Sequence, residues 1–132
     1  MYESLEGHKD SSPQYHQFDD HNTLECRALQ LYLILISCAH NRQTITYGML
    51  ADTIGYKGAN VLGRQLGHIA FWCEDTELPP LTVLAVNQDG TPGEGFPTDG
   101  NLNKLRETVF NFEWFAIFPP TSEALRQSFQ SR

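Results

Sequence analysis

Basic residues are scarce in this sequence. Its 132 residues hold 9 Lys and Arg against 16 Asp and Glu, a formal net charge of −7. That balance argues against a general polyanion binder, whose domains are usually basic, although a total says nothing about where the charges sit. Cysteine is scarce too. Cys26, Cys38 and Cys73 make an odd number with no CxxC spacing, which speaks against a disulfide framework or a zinc ribbon and fits a reducing, cytoplasmic setting. The longest apolar stretch, centred on Leu31–Ile36, is far short of the ~20 residues of a membrane span. The opening residues lack a basic stretch followed by an apolar one, so neither a signal peptide nor a membrane partner is expected. GxSxG, Walker and Rossmann glycine patterns are missing, and no acid, base or nucleophile constellation can be assembled at workable spacing. The expectation is a protein that is not an enzyme and takes no cofactor.

What is present fits one globular domain. Apolar residues make up 40% and charged residues 19%, and a chain of this length can bury a real core. The charge is unevenly placed. Residues 1–25 carry six acids and one Lys; residues 26–70 carry Arg27, Arg42, Lys57 and Arg64 against Asp52 alone; residues 71–100 carry six acids and no base. A locally basic middle is therefore bracketed by acidic segments. Residues 1–22 are polar and read as a flexible acidic N-terminal arm.

The hydrophobic pattern gives the elements. Residues 24–40 run without Gly or Pro after Asn22 and Thr23, either a good N-cap, and are apolar nearly all round; they read as a central helix. Residues 46–54 form a short helix capped by Thr46 and stopped at Gly55, and residues 59–72 form a second after a brief turn. Short helix, turn, helix is the layout of a helix-turn-helix. Pro79-Pro80 then stops the helical pattern, residues 81–86 (LTVLAV) read as a strand, and Asn87-Gln-Asp-Gly90 supplies turn chemistry, so a β-hairpin wing is expected. Residues 101–116 read as a closing helix. The fold expectation is α+β, a mostly helical winged helix-turn-helix over residues 23–118, with residues 119–132 as a C-terminal tail that holds a short polar helix or frays.

Four pieces of sequence carry a family resemblance. Ile45-Thr-Tyr-Gly-Met-Leu-Ala-Asp-Thr-Ile-Gly55 resembles the entry to the DNA-binding domain of alkylguanine-DNA alkyltransferases and alkyltransferase-like proteins. Ala59-Asn-Val-Leu-Gly63 resembles the family's Ala-Arg-Ala-Val-Gly. Leu81–Gly90 stands where the family has its active-site strand and turn, and Gly93-Glu-Gly-Phe96 resembles the glycine loop beyond. The resemblance spans about residues 42–96. It implies a winged helix-turn-helix, with Tyr47 at the family's DNA-contacting tyrosine. The family's Pro-Cys-His-Arg run is replaced by Leu81-Thr-Val-Leu84, so thiolate alkyl transfer is not implied. Asn60 stands where the family inserts an Arg into the base stack, and Arg64 follows one turn later.

Two functional readings follow. In the first, duplex DNA binds through residues 42–68. Arg42, Lys57, Arg64 and His68 face phosphates, Tyr47 donates to a phosphate or packs on the central helix, and Asn60 and Gln65 read adenine edges. Gly48 and Gly63, costly inside helices, mark a close approach or a packing need, which speaks for the fold more than for an activity. In the second reading the scaffold has lost its DNA role and serves as an adaptor, inhibitor or immunity-type partner. The aromatic run with Phe112, Trp114 and Phe115 then supplies an exposed patch for a protein partner. His16 and His21 lie near Asp19 and Asp20, but no further ligand spacing supports a metal there.

Overall fold

The computed structural model describes residues 14–18, 22–58 and 61–132; Asp19, Asp20, His21 and Asn60, singled out above, lie outside them. Helix α1 spans Leu24–His40, and the Thr23 hydroxyl caps it by accepting from the Cys26 backbone N–H at 3.2 Å. Its inward side carries Ala28, Leu31, Tyr32, Leu35, Ile36 and Ala39, all buried. Every later helix except the next one, α2, packs on it. That makes α1 the central helix the apolar run predicts.

Strand β1 (Ile45–Thr46) leads directly into α2 (Tyr47–Thr53), whose first turn is capped by Thr46 accepting from the Met49 N–H at 3.1 Å. The helix closes at Gly55, which takes φ +81° and donates to the Asp52 carbonyl; only glycine adopts that geometry without cost. Helix α3 (Gly63–Asp75) follows. It starts four residues later than the sequence suggested. At its far end Glu77 sits at φ +56° and the Leu78 N–H reaches back to the Cys73 carbonyl.

The expected hairpin wing takes another form. Residues Leu81–Leu84 wind into a buried 3-10 turn, and only Ala85–Val86 is extended, as strand β2. Strand β2 pairs in parallel with β1, Ile45 opposite Ala85 and Thr46 opposite Val86. A single antiparallel bridge between Val86 and Pro92 remains of the hairpin. Leu81, Thr82, Val83 and Leu84 are all buried. A strand would turn alternate side chains outward, whereas the turn keeps all four inside. The turn chemistry itself is as expected. Gly90 adopts φ +88°, and the Asp89 carboxylate accepts from the Thr91 N–H and hydroxyl at 3.0 and 2.7 Å. Those bonds hold the Asp89 carboxyl below the usual carboxylate range.

Helix α4 (Asn101–Asn111) ends five residues earlier than predicted, at Phe112, and a second 3-10 turn occupies Trp114–Ala116. Helix α5 (Ser122–Gln130) completes the chain, capped by Thr121 accepting from the Ala124 N–H. The segment read as a tail thus packs against both α1 and α3. Leu125 is fully buried, and the Phe129 ring stacks on His68 at 4.1 Å. A Cβ on Gly67 would stand 3.1 Å from Phe129 Cε1, so α3 needs glycine there to let the ring lie flat. Arg132 fastens the end of the chain by pairing with Glu74 and Asp75 at 2.7 and 2.9 Å, over the Phe71 ring. The result is a mostly helical α+β fold with a two-stranded parallel sheet. Among the described residues no helix is long and apolar enough to cross a membrane.

Replacing Leu125 with Ala should lower the unfolding free energy by about 2–5 kcal/mol, the usual cost of deleting a buried leucine, as read by urea denaturation. A loss under about 0.5 kcal/mol, typical of exposed positions, would show that α5 is no part of the core.

Candidate functional site

A groove of about 810 Å³ opens between the start of α3 and the loop after β2. Tyr47 from α2, Leu62 and Gly63 at the head of α3, Thr82 from the buried 3-10 turn, and Gly93–Phe96 from the loop all line it. Each comes from one of the four sequence pieces set out above. The parallel β1–β2 pairing joins two of these segments, because it fixes Thr46, just before Tyr47, against Val86, just before Asn87.

The groove is tightest where Tyr47 meets Gly93. A Cβ on Gly93 would collide with the Tyr47 hydroxyl oxygen, with the ring's Cζ next at 3.5 Å. Gly93 therefore lets the backbone pass over the phenol. Burial pushes the Tyr47 hydroxyl above its ordinary pKa, so it remains a neutral donor at physiological pH. The close approaches in this fold thus fall at Gly67 and Gly93. A Cβ on Gly48 would meet only Thr46 Oγ1 at 4.0 Å, and on Gly63 nothing within 4 Å. Gly63 opens α3, and that helix start carries no side-chain cap. Gly63 lines the groove, so the partial positive charge of a helix N-terminus lies beside it.

The structure divides the residues assigned to DNA. Lys57 and Arg64 are exposed on the turn and the first turn of α3, and among the described residues no carboxylate pairs with either. Tyr47 sits half-buried in the groove. Gln65 is 4% exposed, points inward and leaves its Oε1 without a partner among the described residues, so it cannot reach a base edge. His68 is also buried, with Nδ1 2.7 Å from the Arg64 carbonyl. Helical spacing put both residues near Arg64 but did not reveal that they are buried, His68 under the Phe129 ring of α5. Arg42 belongs to a different cluster. It sits at φ +56° past the end of α1, and its guanidinium pairs with Glu107 at 2.5 Å, donates to Asn111 and lies over the Phe110 ring.

The residues assigned to a protein partner also divide. Trp114 is 2% exposed, donates from Nε1 to the Val109 carbonyl at 2.8 Å and packs edge-on to Tyr32; it is a core residue. Phe112 is half-buried against it. Phe115 and, at the end of the same aromatic run, Phe118 are open, at 62% and 94% exposure. Cys73 is buried in α3 and its thiol is pushed up to about 11, which leaves almost no thiolate at neutral pH. Sequence reading also missed Thr82, Asn87 and Glu94 as groove residues. The one sequence signal near them was the glycine-rich stretch Gly93-Glu-Gly95; that Gly93 makes room for the Tyr47 ring is visible only in the structure.

No family model matches the sequence, and no curated protein or solved structure matches it.

Replacing Gly93 with Ala should destabilise the fold by about 1–3 kcal/mol, as overpacking does. In a Tyr47→Phe background the same change should cost much less, because the nearest atom is then in ordinary contact. Thermal denaturation of the four proteins measures the coupling; equal costs in both backgrounds would refute the contact.

Proposed function

We propose that this protein is a non-enzymatic, winged helix-turn-helix DNA-binding protein built on the scaffold of the alkyltransferase-like proteins. One observation carries the reading: four separate segments, each resembling a piece of that family's DNA-binding domain, all contribute to a single groove. Helices α2 and α3 supply the helix-turn-helix, and the 87–96 loop supplies a reduced wing. Lys57 and Arg64 contact phosphates beside the uncapped start of α3, and Tyr47 offers a neutral hydroxyl from inside the groove. Such contacts position the duplex without reading its sequence. Glu94 in the groove wall opposes a phosphate, so affinity is modest. With Thr82 in the buried turn and no cysteine in the groove lining, the groove's role is recognition rather than alkyl transfer.

Duplex affinity, measured by fluorescence anisotropy, should fall roughly ten- to fortyfold between 50 and 200 mM salt if two or three phosphates are neutralised. Arg64→Glu should weaken binding about tenfold or more, and Glu94→Gln should strengthen it. Binding that ignores salt, or that survives Arg64→Glu unchanged, would defeat the proposal.

The exposure of Phe115 and Phe118 favours a second reading, a protein partner at the α4–α5 connection. That reading expects a co-purifying protein that is lost in the Phe115→Ala/Phe118→Ala double variant while the circular dichroism spectrum is kept. A complex that persists in the double variant would count against it.

A further inference from the structure

A cation not yet placed, Arg106, meets the loop that lines the groove. It stands half-buried on α4, and its Nη2 donates to the Gly90 carbonyl at 3.2 Å, which ties that helix to the 87–90 turn. Its Nε is enclosed and bonds nothing among the described residues. An enclosed charged donor without an acceptor costs free energy, and a bond to a neutral carbonyl is the weaker kind that a guanidinium makes. The carboxylates nearby are engaged elsewhere. Glu107, the next residue, pairs with Arg42, and Asp89, beside Gly90, accepts from the Thr91 N–H and hydroxyl. Among the described residues no carboxylate pairs with Arg106. The guanidinium is thus held in place at the exposed turn with its charge uncompensated.

We infer, resting on the duplex reading, that Arg106 is a third phosphate contact, so that the footprint runs from α3 across the loop to α4. An element that enters a DNA groove is flanked by the phosphates of both strands, so cations are needed on two sides of it. Lys57 and Arg64 stand on the α2–α3 side. The loop spans the gap to the other side, with Gly93–Phe96 lining the groove and Gly90 bonded to Arg106. The forked guanidinium can do two things at once. Nη2 keeps the Gly90 carbonyl, while Nη1 takes a phosphate oxygen in a charge-assisted bond stronger than the one already made. The Gly90 bond also holds the side chain in advance, which lessens the ordering that binding would otherwise require.

Duplex affinity of the full chain at 50 and 200 mM salt, read by fluorescence anisotropy, tests the inference. With three phosphates neutralised, wild-type affinity should fall roughly fortyfold over that interval; with two, in Arg106→Gln, roughly twelvefold. Arg106→Lys keeps the charge and should keep the fortyfold fall. The weakening in Arg106→Gln should be alike on duplexes of unrelated sequence, as for any phosphate contact. A residue that only braces the turn behaves differently: its loss lowers the melting temperature and leaves the salt dependence at the wild-type value. That result for Arg106→Gln overturns the inference, as does an Arg106→Lys variant with the reduced salt dependence of Arg106→Gln. Binding weakened by Arg64→Glu but indifferent to Arg106→Gln overturns this contact alone and leaves the duplex reading standing, whereas a wild type that binds no duplex overturns both.

Discussion

The burial of α1 is the constraint on which the rest of the structure depends. Ala28, Leu31, Tyr32, Leu35 and Ala39 are inaccessible to solvent, and burying each large apolar side chain contributes about 1.5–3 kcal/mol. A helix apolar over so much of its surface must be covered from several directions. Helix α3, the Leu81–Leu84 turn, α4, the Trp114 turn and α5 each take a sector. This demand bends the chain after Pro79-Pro80 into a turn with all four side chains inward rather than a strand with two of them outward. The same demand brings Thr82 and the following loop up to Tyr47. The groove is thus a by-product of how α1 is wrapped.

Electrostatics then sorts the few cations. Arg42 is held by Glu107, Arg132 by Glu74 and Asp75, and Arg126 by Glu123. These are surface pairs, each worth little in stability, but they decide which charges are free to meet a ligand. The acidic end of α3 at Glu74 and Asp75 is partly neutralised by Arg132. Lys57 and Arg64 remain outside these pairs, next to the uncapped start of α3. The asymmetry that makes residues 26–70 basic survives folding at these two positions and is cancelled at Arg42.

Much of this was legible in the sequence. The extent of α1, the Thr23 and Thr46 caps, the Gly55 stop and the 87–90 turn were all readable, because each depends on neighbouring residues alone. What was not legible depends on distant partners. Nothing local distinguishes Gln65 and His68 from surface residues of an amphipathic helix, yet both are buried, and the ring of Phe129, some sixty residues on, stacks on His68. Trp114 looked like part of an exposed aromatic run because the helix was expected to continue to residue 116. Once the chain turns extended at Phe112, the indole swings inward to bond the Val109 carbonyl, and Phe115 and Phe118 are left outside. The groove was half legible: its four segments were visible as pieces, whereas their convergence required the β1–β2 pairing, two residues per strand and too short to announce itself.

The groove's polar groups are few and their states are set by burial and local bonding. Burial raises the pKa of the Tyr47 hydroxyl and of the Cys73 thiol, so neither offers an anion near neutral pH. Asn87 is occupied locally, its Nδ2 donating to the Thr91 hydroxyl and the Pro92 carbonyl, and so it stiffens the loop. What remains among the described lining residues is the hydroxyls of Tyr47, Thr82 and Thr98 and one carboxylate, Glu94. Donors of that kind can orient an anionic or carbonyl-bearing ligand, and none of them can attack it. The single glycine at position 93 sets how closely loop and phenol approach, and so how far the hydroxyl stands from anything that enters. The groove is open rather than enclosed, a shape that the proposed duplex, with phosphates spaced along its length, requires and an enclosed small molecule does not.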